Sequence, residues 1–264
     1  MKRSIIALLT ALVLWGCSSP DAAVDSLRVG TISGPETQVM EVAKQVALEQ
    51  SGLKVEIVTF ADYILPNTAL TDGSLDVNVF QHQVYLDHYL NAHPDAKLVT
   101  VGKTFVYPVG IYSSKYTLAT LPKDSKVAIP NDPSNGARAL LLLEKAGLIT
   151  LRHRDANSVT LADVETNPKD LKIIALDAAQ LPRALPDVGL AVINTNYSLL
   201  AGLVPSKHAL LLEDHDSPYA NIVVVRAGFE NDPRVLQLVE ALHAPAVLDK
   251  ANELFQGQAI PAWH

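Results

Sequence analysis

Apolar positions along this chain repeat at two spacings, and the switch between them sets out the elements. Leu27-Arg28-Val29-Gly30-Thr31 is a short apolar run that predicts a strand, and Ser33-Gly34-Pro35-Glu36 breaks the chain after it. Val39, Val42, Ala43, Val46 and Ala47 then follow at helical spacing as far as Ser51-Gly52. Lys54 to Phe60 alternates as a second strand. This strand–helix–strand opening implies a right-handed crossover in a parallel sheet. Tyr63 to Leu70 predicts a helix, Leu75 to Phe80 a third strand, and Val84 to Ala92 another helix.

The pattern restarts after Thr104-Phe105-Val106-Tyr107-Pro108. Strands are predicted at Val109 to Ser113, Lys126 to Pro130, Leu171 to Leu176, Leu190 to Asn194, His208 to Glu213 and Ile222 to Arg226. Helices are predicted at Arg138 to Ala146, Gln180 to Leu185, Asp232 to Leu242 and Pro245 to Phe255. No tandem repeat is present. Two α/β units joined near 104–108, with a return near 213–221, describe two lobes: residues 27–105 with 231–264, and residues 106–230. Ligands of α/β sheets sit at the carboxyl ends of strands, so the cleft between lobes is the default site.

Composition narrows the class. Apolar residues make up 48 % of 264, ample for a core, and the formal charge is −7. Residues 1–16 form a secretory signal, with Lys2 and Arg3 ahead of an apolar stretch from Ile5 to Trp15, too short to span a bilayer. Without Lys2 and Arg3 the 21 basic residues become 19 against 28 acidic, or −9, which disfavours nucleic acid and anionic lipid as partners. Cys17 is the only cysteine, so no internal disulfide is possible. Its place after the apolar stretch resembles a lipobox, implying acylation of Cys17 and a tether over 17–26. Trp15 departs from the small residues usual there. The alternative is ordinary cleavage nearby.

Enzymatic chemistry has no support. The chain lacks a Gly-x-Ser-x-Gly elbow, a phosphate-binding Walker loop and a Gly-x-Gly-x-x-Gly after the first strand. His82 and His88 are six apart and do not share a helical face, so metal is not expected, nor is a cofactor. His153, in Arg152-His153-Arg154, is read as a solvated loop residue. Binding chemistry is better represented. Pro130 to Arg138 lies between a strand and an apolar helix. Ser134 or Asn135 can cap that helix, whose start suits an anion, and Arg138 in its first turn can grip a carboxylate. The competing reading is a capped helix with a surface Arg paired to a nearby acid. Tyr63, Phe80 and the pair Phe105/Tyr107 can wall an apolar pocket, although core packing is commoner. Asn194 and Asn221, at a strand end and at the return crossing, can hold an ammonium or a carboxylate, or serve as caps.

Seven segments in order make the chain similar to the methionine-binding lipoproteins of the MetQ/NlpA family: Phe60 to Asn67, Phe80-Gln81-His82, Thr104 to Pro108, Pro130 to Asn135, Gln180 to Arg183, Ala191 to Thr195 and Ser217 to Asn221. The resemblance runs from about Leu27 to Trp263. It implies a two-lobed periplasmic-binding-protein fold of type II and a non-enzymatic role: capturing methionine outside the cytoplasm, lipid-anchored in the cell envelope, for an ABC permease and its ATPase. By position it implies that Arg138, helped by Asn135, pairs with the ligand carboxylate. Asn194 and Asn221 would hold its amino and carboxyl groups, and Tyr63, Phe80, His82 and Tyr107 would line the side-chain pocket. Alternatives are a methionine-containing dipeptide, D-methionine or another apolar amino acid as cargo, or a surface interaction lipoprotein.

Overall fold

The computed structural model describes residues 26–155, 157–214 and 217–263. The expected signal, Cys17 and nearly all of the tether lie outside the described residues.

The first stretch runs β1 (Leu27–Ile32), α1 (Pro35–Ser51), β2 (Val55–Phe60), α2 (Leu65–Thr71), β3 (Val77–His82), α3 (Gln83–Ala92) and β4 (Leu98–Val106). β1 pairs in parallel with both β2 and β3, as the opening pattern required. In α1, Val39, Met40, Ala43, Val46 and Ala47 are buried along one face, Pro35 occupies the first turn, and Gly52 ends the helix at φ +71°, a left-handed geometry that suits glycine. The chain then builds a second sheet from β5 (Gly110–Tyr112), β6 (Lys126–Pro130), α4 (Pro133–Lys145), β7 (Thr150–Leu151), β8 (Val164–Thr166), β9 (Lys172–Leu176), α5 (Leu181–Ala184), β10 (Leu190–Ile193), α6 (Thr195–Leu200), α7 (Pro205–His208) and β11 (Leu211–Leu212), with β7 and β8 pairing apart as a ribbon. It returns through β12 (Ala220–Arg226), α8 (Pro233–Leu242), α9 (Pro245–Phe255) and β13 (Ile260–Pro261).

The sheets are ordered β13-β4-β12-β3-β1-β2 and β11-β5-β10-β6-β9. α1, α8 and α9 cover the first, burying Val235, Leu238, Val247, Ala251 and Phe255 against Val29, Val77 and Val223. α4 covers the second with Leu140 and Leu143 against Val127, Ile129 and Val192. A third apolar cluster joins Ile32 and Phe80 of the first sheet to Ala128, Ala191 and Ile193 of the second, with Tyr197 of α6 between them. Behind β3, a buried amide network ties Asn67 to Gln81 (2.8 Å) and Asn78 to Asn67 (2.9 Å), fixing α2 on the strand that carries His82.

Several elements differ from the sequence reading. Residues 220–226, assigned there to the second lobe, form β12 in the middle of the first sheet, antiparallel to β3 and β4. β4 extends from Leu98 to Val106, beyond the connection expected at 104–108, with Gly102 and Lys103 interrupting its alternation. α6 was not expected: Thr195, Asn196 and Ser198 are polar yet buried. The helix expected over Gln180–Leu185 is broken by Pro182 and Pro186 into α5 and flanking 3-10 turns. The strand expected at His208–Glu213 shrinks to Leu211–Leu212, since α7 ends at His208. α4 starts at Pro133, five residues early, so Arg138 lies in its second turn.

Candidate ligand-binding crevice

A cavity with about 390 Å³ of empty space, counting space that opens to solvent, lies between the sheets. Tyr63, Phe80, His82, Tyr107, Asn135, Arg138, Asn194 and Asn221 all line it. The sequence reading missed Glu36, Gln81, Tyr85, Thr195 and Asn196, which share the lining. Most of these residues sit at or just beyond strand ends: Glu36 after β1, Tyr63 after β2, Phe80 to His82 at the end of β3, Tyr107 after β4, Asn135 and Arg138 after β6, and Asn194 after β10. Phe105, by contrast, is core, 1 % exposed and packed against Trp263 and Tyr107.

At the start of α4, neither Ser134 nor Asn135 is the cap. Asp132 is, accepting from Asn135 N at 2.8 Å and from Ser134 Oγ at 2.9 Å. The helix amides are thus partly spent on Asp132, and the cationic grip falls to Arg138. The Asp132 carboxylate also orients a relay. It accepts from Asn135 Nδ2 at 3.0 Å, so Asn135 Oδ1 must accept, and it takes Asn194 Nδ2 at 2.8 Å. Asn194 Oδ1 is left buried with no hydrogen-bond partner, an acceptor at the cavity.

Arg138 is paired to an acid, as the competing reading expected, but it is buried and not at the surface. Its side chain is 5 % exposed, and it pairs with an acid that the sequence did not single out, Glu213. Nε donates to Glu213 Oε1 at 2.9 Å, and Nη2 donates to Glu213 Oε2 and to Tyr107 O at 3.0 Å. The guanidinium also lies 4.4 Å over the Tyr219 ring. This clamp fixes the plane of the group, and Nη1 carries no hydrogen bond to a described residue.

His82 ends β3 and caps α3: its Nδ1 accepts from Tyr85 N at 3.2 Å, which places the proton on Nε2. Nε2 lies near the Asn135 side chain yet makes no hydrogen bond of good geometry. Burial, with Arg138 nearby, pulls the His82 pKa down to about 3, so the ring is a neutral donor. Glu36 shows the opposite shift. Burial pushes it up to about 8, against a weak 3.5 Å contact from Asn221 Nδ2 to Oε1, and Oε2 is sealed with no partner.

The other end is aromatic. Tyr63 meets Phe80 at 6.0 Å, Tyr197 at 5.2 Å and Tyr85 at 6.1 Å between ring centres, and Tyr107 stacks on Phe255 at 4.2 Å. Tyr85 OH donates to Tyr63 O at 2.7 Å, holding the wall in place. Segments of the two sheets also touch directly. Asn196 Nδ2 donates to Ser33 O at 3.1 Å, its Oδ1 accepts from Glu36 N at 3.3 Å, and Tyr197 OH donates to Ala61 O at 3.2 Å. The crevice is therefore closed over the cavity. Among the described residues no cluster suited to a metal ion occurs, and no helix is long and apolar enough to cross a membrane.

Comparison with known proteins agrees with this fold. The family model described as NlpA lipoprotein matches residues 27–263. A D-methionine-binding lipoprotein MetQ of Salmonella typhi is 47 % identical over 260 residues, covering 97 % of this chain and 96 % of the relative. Among solved structures, a periplasmic substrate-binding protein of an ABC transporter from Coxiella burnetii is 59 % identical with a TM-score of 0.87, covering 89 % of this chain and 100 % of that one. A nutrient-binding protein from Burkholderia cenocepacia, solved bound to methionine, is 46 % identical with a TM-score of 0.87, covering 90 % and 100 %. With nearly every described residue matched and the α/β architecture of two facing sheets shared with these binding proteins, the chain belongs to the NlpA lipoprotein family.

Proposed function

We propose that this protein captures methionine in the crevice between its two sheets and delivers it to an ABC importer, without making or breaking a covalent bond. The observation that carries the reading is the set of polar groups left over at one end of the cavity. Two buried acceptors, Glu36 Oε2 and Asn194 Oδ1, and one buried donor, His82 Nε2, have no hydrogen-bond partner among the described residues, and Arg138 Nη1 lies at the same cavity. Buried polar groups are rarely left unpaired. A zwitterionic amino acid supplies what each needs: an ammonium for the acceptors and a carboxylate for the donors. The aromatic end suits a thioether, whose contacts with ring edges contribute ~0.3–1.5 kcal/mol each. The names of the relatives support the same cargo.

In this reading Arg138 and His82 hold the carboxylate, Asn194 and Asn221 help to hold the polar head, and Tyr63, Phe80 and Tyr107 enclose the side chain. One lobe comprises the first sheet with β12, α8 and α9, and the other comprises the second sheet. The lobes close as α6 docks through Asn196 and Tyr197, so ligand shifts the population toward the closed form. We further infer that acylated Cys17 anchors the protein at the membrane, where the closed form meets a permease and its ATPase.

The test is a thermal-shift and calorimetric screen of L-methionine, D-methionine, methionine-containing dipeptides and other apolar amino acids. The expected outcome is stabilisation by methionine above leucine or norleucine of equal length. A flat response across all of them would overturn the proposal.

A further inference from the structure

Glu36 was not visible as a candidate in the sequence, and its surroundings are unusual. It stands in the first turn of α1, where the helix dipole favours a carboxylate. Yet its Oε2 is sealed from solvent with no donor, although the residue as a whole is only partly covered. Its backbone N–H is taken by Asn196 Oδ1, which fixes the turn and aims the side chain at the cavity.

The groups that face it come from every element around the cavity. Tyr63 beyond β2, Tyr107 beyond β4 and Tyr197 of α6 are phenols held neutral by burial, and each feels the Glu36 charge. His82 of β3 is neutral. Asn221 of β12 reaches only Oε1, at 3.5 Å. Arg138 of α4 lines the same cavity but is committed to Glu213, and among the described residues no cation pairs with Glu36. A carboxylate in this setting has lost its water and gained no counter-charge, so the neutral acid is the stable form without ligand.

We propose that Glu36 is the residue that receives the ligand's ammonium, and that it gives up a proton to solvent as the ligand enters. The exchange balances: a carboxylic acid and an ammonium zwitterion become a carboxylate–ammonium pair plus one proton taken by the buffer. The inference rests on the amino-acid-binding reading above and adds its linkage to pH. Capture would strengthen as pH rises toward the point where Glu36 ionises unaided, about 8. It would also discriminate against ligands that carry the carboxylate and thioether without the amine.

Calorimetry of the purified full chain with L-methionine, in two buffers of different ionisation enthalpy, measures the proton count directly. Close to one proton should be released per methionine near pH 7, with the release falling as pH rises through about 8, and affinity should rise by up to about tenfold per pH unit below pH 7. The α-hydroxy acid analogue of methionine should bind more weakly and release none. Glu36→Gln should abolish the release with methionine. Methionine binding without proton release, or release unchanged in Glu36→Gln, would overturn this inference while leaving the binding reading intact. Absence of methionine binding to the wild type would overturn the binding reading, and this inference with it. Should Glu36→Gln fail to fold, the wild-type pH series alone decides.

Discussion

The two ends of the cavity are built on different terms. At the aromatic end, Tyr63, Phe80, Tyr85 and Tyr197 pack edge and face against one another, and Tyr85 OH has its acceptor. That end is stable as it stands, like any core. At the polar end, Glu36 Oε2, Asn194 Oδ1 and His82 Nε2 are buried without partners. Each unmade bond of this kind costs about 1–3 kcal/mol. The polar end is therefore a place where the fold gives up stability that a ligand can restore, and the aromatic end is scaffold that a ligand borrows.

Substitutions at the two ends should separate these roles. Arg138→Ala should have the largest effect, weakening methionine binding by ~2–5 kcal/mol in calorimetry. It should also lower the melting temperature of the free protein, because Glu213 loses its buried partner. Asn194→Ala should weaken binding by about 1–3 kcal/mol and should also lower free-state stability, since the Nδ2 bond to Asn135 Oδ1 is lost with the free Oδ1 acceptor. Glu36→Gln should move the two quantities in opposite directions: weaker binding, but a free protein more stable by about 1–3 kcal/mol near pH 8, measured by denaturant unfolding. Phe80→Leu should cost only ~0.3–1.5 kcal/mol in affinity for methionine. If Phe80→Leu costs more affinity than Asn194→Ala, the contrast between the ends is wrong.

The pH dependence of the free protein follows from the same contrast. Glu36 binds its proton more tightly folded than unfolded, so its contribution is full below about pH 4.5 and is lost as pH rises toward 8. His82 has the reverse sign: its folded pKa is depressed, so its contribution is full above about 6.5 and is lost as pH falls toward 3. Stability of the free protein should therefore decline on both sides of mildly acidic pH, and saturating methionine should flatten the alkaline side. Thermal melts across pH, with and without methionine, check this.

Glu36 was legible in principle. It follows β1 directly, at the carboxyl end where α/β sheets hold ligands, but Ser33-Gly34-Pro35-Glu36 reads equally well as a plain turn into a helix. Glu213 had no local signal, since it meets Arg138 from 75 residues away. The Asp132 cap is signalled locally by Pro133, a favoured first helical residue, although the apolar run of the helix begins only several residues later.

The sequence by itself determined the α/β class and the apolar faces of α1, α4, α8 and α9. These depend on periodicity and local chemistry, which are read along the chain. Only the tertiary structure decided that β12 belongs to the first sheet, that β4 is a full strand, that Arg138 is clamped by Glu213, and which polar atoms are left without partners. Each of these depends on what burial removes from water and on neighbours distant in sequence, and neither quantity is written in any single segment.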